Sequence, residues 1–131
     1  MINVTCAIIL NKHNDVFVAQ RSSSMHLPLK WEFPGGKVED GESLRDCLIR
    51  EIKEEFDMRI EIISQLPPNE HEYTDKTIKL IPFMCSWIAG EIWLKEHACY
   101  KWLEPKNLLD LDWAEADIPI VKNYLAQTDG N

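Results

Sequence analysis

Apolar residues recur every four positions at Leu44, Leu48, Ile52 and Phe56, the spacing of a single helical face. Ser43 stands where an N-cap oxygen is needed, and Asp46 three residues on takes the reciprocal position of a capping box. A helix is therefore predicted from Ser43 to near Asp57. Being apolar on one face only, it must lay that face against another element.

The flanking segments supply a sheet. Ile2, Val4, Cys6, Ile8 and Leu10 alternate along a predicted strand, and the turn-rich 11–15 leads into a second arm, Val16–Gln20. Residues 21–30 hold Ser22-Ser23-Ser24 and Pro28 without periodicity and read as a loop. Trp31-Glu32-Phe33 is then a short approach to the breaker Pro34-Gly35-Gly36. Past the helix, strand-like segments fall at 59–64, 77–88 and 98–103. Pro67-Pro68 separates the first two, and Pro82 places the second at a sheet edge or a bulge. A helical turn around 107–109 and a final helix over 117–126 complete the chain, the latter turning Ile118, Val121 and Leu125 inward. The order β-β-loop-α-β-β-β-α predicts an α/β fold with one mixed sheet between helices, residues 1–131 forming one domain.

The mid-chain helix carries charge where packing would not place it. Glu51, Glu54 and Glu55 lie at i, i+3 and i+4 and share a face. At roughly 100° per residue, Glu55 has almost the bearing of Leu44 and Leu48, so carboxylates reach the edge of the inward face. Like charges at this spacing destabilise a helix by about a few tenths of a kcal/mol, and its C-terminal half disfavours anions. A solvated surface face is one reading of such a run. The other is a set of ligands, in which a cation turns repulsion into coordination. All the oxygens are hard, and no His or Cys pairing lies nearby, which selects Mg²⁺ or Mn²⁺ over zinc. Gly35-Gly36, just before the helix, lets backbone come close to a ligand. Lys37 follows as a point charge for phosphate, and Glu42 and Arg50 are placed to brace the loop against the helix.

Composition narrows the partners. The formal net charge is -8, from 22 acidic and 14 basic residues. That excludes a protein that wraps nucleic acid, which needs a basic face. It leaves open a small anionic substrate bridged to carboxylates by a divalent cation. No basic stretch followed by an apolar run marks a secretory signal, and Ala7-Ile8-Ile9-Leu10 is far too short to span a membrane. Cys6, Cys47, Cys85 and Cys99 are spread singly, which fits free thiols in a reducing cytoplasm. Neither His13, His26, His71 nor His97 has ligand spacing, and surface positions are expected for them. Trp87, Trp93, Trp102 and Trp113 are expected in core or pocket wall.

Residues 36–58 are similar to the Nudix box, G-x5-E-x7-R-E-U-x-E-E-x-G-U with U bulky and apolar. The chain supplies Gly36, Glu42, Arg50, Glu51, Ile52, Glu54, Glu55 and Met58, and departs at Asp57, where the pattern has glycine. Ala19-Gln20-Arg21 and Trp31-Glu32-Phe33-Pro34-Gly35-Gly36-Lys37-Val38-Glu39 resemble the MutT-type branch. Ala116-Asp117-Ile118-Pro119 resembles the CTP and oxidised-nucleotide pyrophosphohydrolases. The resemblance implies an α/β/α sandwich that hydrolyses nucleoside triphosphates to monophosphate and pyrophosphate. Glu51, Glu54 and Glu55, with the Gly35 carbonyl, would hold the metal. Glu96 matches a further metal-associated or base-candidate glutamate, and Arg21 and Lys37 would contact phosphates. Phe33 and Tyr73 would line the nucleoside pocket, though both equally fit the core. Asp117 sits where the branch contacts the base, and equally fits a cap of the terminal helix.

The implied reaction is attack of water on the inner bridging phosphorus with pyrophosphate leaving, one of Glu51, Glu55 and Glu96 taking the proton. Oxidised nucleotides such as 8-oxo-dGTP are the leading substrate class, with a role in sanitising the nucleotide pool and so in DNA repair. CTP or a modified dCTP is the rival. Sugar-nucleotide and dinucleotide hydrolases of the family carry extra elements that this length does not accommodate. A non-catalytic Nudix ligand sensor is expected to lack box glutamates, and these are intact. The expected protein is a cytoplasmic monomer or weak homodimer acting on a small nucleotide, with no nucleic-acid polymer and no membrane as partner.

Overall fold

A computed structural model describes residues 1–129. Its elements are the strands β1 (Ile2–Leu10), β2 (Val16–Gln20), β3 (Trp31–Glu32) and β4 (Gly35–Lys37), then the helix α1 (Leu44–Phe56). There follow β5 (Arg59–Gln65), β6 (Asn69–Glu72), β7 (Thr77–Ala89) and β8 (Cys99–Leu103), and finally α2 (Ile118–Asp129). Short 3-10 turns at Pro105–Asp110 and Glu115–Asp117 precede α2. All strands join one sheet in the order β3-β2-β1-β7-β5, with β4 on β1, β6 on β7 and β8 on β2. β1 and β7 run parallel over nine register pairs, from Ile2↔Ile78 to Leu10↔Ser86. The other pairings are antiparallel, so the sheet is mixed.

Burial follows from the alternation of the strands. Ala7, Ile9, Phe17 and Ala19 pack on one side against Leu48, Ile52 and Phe56 of α1. Cys6, Ile8, Val16 and Val18 pack on the other side against Leu108, Ile120, Val121 and Tyr124, in the Pro105–Asp110 turn and α2. β1 is thus sealed on both faces from Thr5 to Ile9, as strands between helices are. This is the expected α/β/α sandwich. Burying each of the three α1 side chains contributes about 1.5–3 kcal/mol, which outweighs the few tenths cost of the clustered glutamates. Cys6, Cys47 and Cys85 are buried free thiols, and Cys99 is half-buried. Among the described residues no helix is long and apolar enough to cross a membrane.

Four expectations are corrected. Pro82 is neither at an edge nor in a bulge: it lies in the middle of β7, opposite Cys6 of β1. Its carbonyl accepts from Leu66 N–H (2.9 Å) at the junction between β5 and β6. The N–H that proline lacks is on that same side, where the chain crosses from one strand to the other and no ladder partner is due. A strand forms at β6, where a bare connection was expected, because β6 hairpins onto the start of β7. Trp93 is 58% exposed rather than core, since its segment is spent on capping the end of α1. His97, expected at the surface, has a side chain only 6% exposed.

The N-cap of α1 is Ser43, whose side chain accepts from Asp46 N–H (3.1 Å). At the other end Asp57 adopts φ 55 and ψ 30, the left-handed conformation that the glycine of the box pattern would supply. Its N–H reaches Lys53 O, and its carboxylate pairs with Lys53 Nζ. The next turn's carbonyls are also satisfied: Trp93 N–H donates to Phe56 O (2.9 Å) and Lys95 N–H to Glu55 O (3.1 Å). Gly90 allows this docking, because a Cβ there would lie 2.2 Å from Asp57 O.

Asp57→Val should therefore lower stability by about 1–2 kcal/mol, from a β-branched residue forced into the left-handed region. Asp57→Gly should stay within about 1 kcal/mol of wild type, easing the backbone while losing the ion pair. Thermal unfolding of the two variants checks both values.

Candidate active site

The tight contact between β1, β4 and α1 sets the site's geometry. β4 pairs with β1 at Val4↔Lys37, Thr5↔Gly36 and Cys6↔Gly35. A Cβ on Gly35 would lie 2.0 Å from Thr5 O, and one on Gly36 would lie 2.2 Å from the carboxyl carbon of Glu51. Only glycines let this backbone pass between the strand and the acidic face of α1. The buried Thr5 hydroxyl steadies the crossing by donating to Gly36 O (3.3 Å).

Arg50 organises the carboxylates. Its Nε and Nη2 fork onto Glu42 (2.6 and 2.9 Å), tying the loop before the helix to the helix itself. Its Nη1 reaches Glu51 Oε1 (3.0 Å) and Glu54 Oε2 (3.2 Å). The fork holds Glu42 far below the usual carboxylate range, at about 2, and raises the Arg50 pKa further. Burial, the largest cause, pushes Glu51 and Glu55 upward, and Glu96 adds to the shift at Glu55. Two acids with raised proton affinity in a cleft are a mark of functional sites.

The cleft holds about 250 Å³. Of the residues singled out in the sequence, Arg21, Phe33, Gly35, Gly36, Glu51, Glu55, Tyr73, Glu96 and Asp117 line it. Lys37 and Glu54 do not: both are exposed, and Glu54 is drawn to Arg50. Asp117 does not cap α2. Its Oδ2 accepts from Phe33 N–H (2.9 Å) across the fold, and burial pushes its carboxyl well up, favouring the protonated form. Phe33 is both core and cleft wall, packing on Trp113 with ring centroids 4.9 Å apart. Tyr73 Oη accepts from Ala116 N–H (3.2 Å), closing the wall beside Asp117.

Sequence reasoning missed Glu32 and His97, which also line the cleft. Glu32 sits between the buried Trp31 and Phe33. A lone carboxylate between two aromatics was the available signal. His97 follows Glu96 directly and carried no spacing signal.

The donors suit a hard divalent cation. Every one is an oxygen, Glu55 Oε2 is buried without a hydrogen-bond partner, and the Gly36 crossing keeps the space before Glu51 clear. Among the described residues no three acidic, imidazole or thiol groups form a closed cage. Arg50 instead occupies oxygens of Glu51 and Glu54, which a cation would draw away.

Comparison with known proteins gives a coherent set. The NUDIX domain family model matches residues 1–124. The 8-oxo-dGTP diphosphatase of Escherichia coli (strain K12) is 31% identical over 120 residues, covering 92% of this chain and 93% of the relative. The CTP pyrophosphohydrolase of the same organism is 32% identical over 126 residues, covering 96% and 93%. The solution structure of MutT from methicillin-resistant Staphylococcus aureus 252 superposes with a TM-score of 0.76 at 42% identity, covering 96% of each chain.

The Glu42–Arg50 fork yields a pH prediction. A carboxylate whose folded pKa is about 2 instead of 4.5 contributes stability that is present above about pH 4.5 and lost as pH falls toward 2. Denaturant unfolding over that window should show Glu42→Gln less stable than wild type at pH 6, with the gap narrowing toward pH 2.

Proposed function

The chain belongs to the Nudix hydrolase family, and from that premise we propose a magnesium-dependent nucleoside triphosphate pyrophosphohydrolase, releasing nucleoside monophosphate and pyrophosphate. Its proposed substrates are oxidised or modified nucleotides such as 8-oxo-dGTP, hydrolysed in the cytoplasm, where free thiols stay reduced. The observation that carries this reading is one cleft lined both by acids and by side chains suited to a nucleotide. Glu51, Glu55 and Glu96 line it together with Arg21, Phe33 and Asp117. The name of the Escherichia coli relative that is an 8-oxo-dGTP diphosphatase supports this substrate class.

Glu51, Glu54, Glu55, Glu96 and the Gly35 carbonyl would hold magnesium or manganese. When bound, the cation neutralises phosphate charge and lowers the pKa of water. The chain's own residues do the rest. Arg21, in the cleft, holds the phosphates, and the glycine crossing keeps backbone close to them; Lys37, exposed and outside the cleft lining, is the weaker phosphate contact. Phe33 and Tyr73 flank the nucleoside, and Asp117 meets the base edge. A carboxylate among Glu51, Glu55 and Glu96 takes a proton from the attacking water as its oxygen bonds to the inner phosphorus and the bond to pyrophosphate breaks. Raised proton affinity at Glu51 and Glu55 suits that step. Hydrolysis of CTP or a modified dCTP is the second reading, favoured by the CTP pyrophosphohydrolase match over 96% of the chain and by Ala116-Asp117-Ile118-Pro119.

A nucleotide panel with Mg²⁺, resolved for monophosphate and pyrophosphate, tests the activity and separates the two readings. Glu51→Gln and Glu54→Gln should each lower kcat/KM by about 100-fold or more. Near-normal turnover in both variants contradicts the metal assignment. Asp117→Ala should lower kcat/KM for the preferred base by about tenfold or more, from loss of a buried polar contact, while affecting other bases less.

A further inference from the structure

We propose that His97 is a positioning residue, which through Glu32 sets the guanidinium of Arg21 toward the substrate phosphates. Glu32 divides its two oxygens between two partners. Oε2 lies 2.7 Å from His97 Nε2 and Oε1 lies 2.7 Å from Arg21 Nη1. A carboxylate offers only acceptors, so the ring donates Nε2–H and the guanidinium donates Nη1–H. The three side chains are 6%, 16% and 19% exposed, for His97, Glu32 and Arg21. In such partial burial a charge-assisted hydrogen bond is far less screened than at the surface.

The chain of contacts joins otherwise separate parts of the site. His97 belongs to the segment that carries Glu96, which is docked on the end of α1 by Lys95 N–H to Glu55 O. Its ring packs on Phe56, the last residue of α1, with centroids 4.9 Å apart. Glu32 is on β3, and Arg21 directly follows β2. The imidazole is therefore a spacer of fixed thickness between the helix with the acidic face and the strand pair that presents Arg21. Arg21 spends one further donor, Nε, on His26 O, and its remaining N–H groups are free to face a ligand in the cleft it lines. His97 Nδ1 is buried with no hydrogen-bond partner, so the polar contact of the ring is the one that Nε2 makes to Glu32.

The proposal rests on the hydrolase reading for the role of Arg21, and its test separates the two. With Mg²⁺ and either 8-oxo-dGTP or CTP, His97→Phe keeps a ring packed on Phe56 and removes the donor. KM should rise about tenfold, the loss expected for one charge-assisted hydrogen bond, with kcat within about threefold. His97→Gln, whose amide can still donate to Glu32, should restore KM to within about threefold of wild type. In an Arg21→Ala background His97→Phe should change KM less than about twofold, as expected for residues acting in series. Equal losses in the Phe and Gln variants, or full additivity with Arg21→Ala, overturn the proposal. Nitrogen-15 NMR supplies a reading independent of turnover. The Arg21 Nη1–H signal, whose proton Glu32 accepts, should be slowly exchanging in wild type and in His97→Gln, and broadened or lost in His97→Phe. A signal unchanged in His97→Phe overturns the proposal even if the wild-type chain hydrolyses neither nucleotide.

Discussion

One guanidinium makes the acidic helix possible. Glu51, Glu54 and Glu55 repel one another and sit at the helix end that disfavours anions, while Glu42 adds a further charge from the preceding loop. Arg50 answers this by forking onto Glu42 and reaching Glu51 and Glu54 with its remaining arm. The fork also fixes the loop whose glycines pass between β1 and the helix. Electrostatic relief and backbone placement are thus one interaction. Glu55 lies outside it, half-buried, with one oxygen buried and unpartnered, and that is the carboxylate most open to a cation.

The far end of the same helix is built with similar economy. Its last carbonyls accept from the segment that brings Glu96 and His97 into the cleft, so completing the helix and completing the site are a single structural event. Gly90 is needed for the approach and Asp57 for the turn. Asp57 occupies the glycine position of the box with the same left-handed backbone, held by its pairing with Lys53. The departure from the pattern therefore leaves the local geometry intact.

Local pattern made much of this legible in the sequence. Helix α1 and its Ser43 cap, strands β1 and β2, and the layered architecture follow from periods of 3.6 and 2 that tertiary packing did not override. The pairing of Glu42 with Arg50 could be anticipated because Glu42 lies just before the helix and Arg50 about two turns into it. What stayed hidden depends on partners distant in sequence. Pro82 reads as an edge residue until the β5–β6 junction beside it is known. Asp117 reads as a helix cap until Phe33, 84 positions away, is seen to claim its carboxylate. His97 reads as a surface residue until the docking of its loop on α1 turns the ring under Phe56. Glu32 gave the weakest signal, a single charge between aromatics, and proved to be the hub between two elements.

The proposed function rests on the acidic face of α1, and the affinity of that face for a hard cation is directly measurable. Mn²⁺ titration of the full chain, followed by electron paramagnetic resonance, should show binding that weakens about tenfold or more in Glu55→Gln, since the variant replaces an anionic oxygen ligand by a neutral one. Equal Mn²⁺ affinity in wild type and Glu55→Gln would contradict the assignment of this face as the metal site.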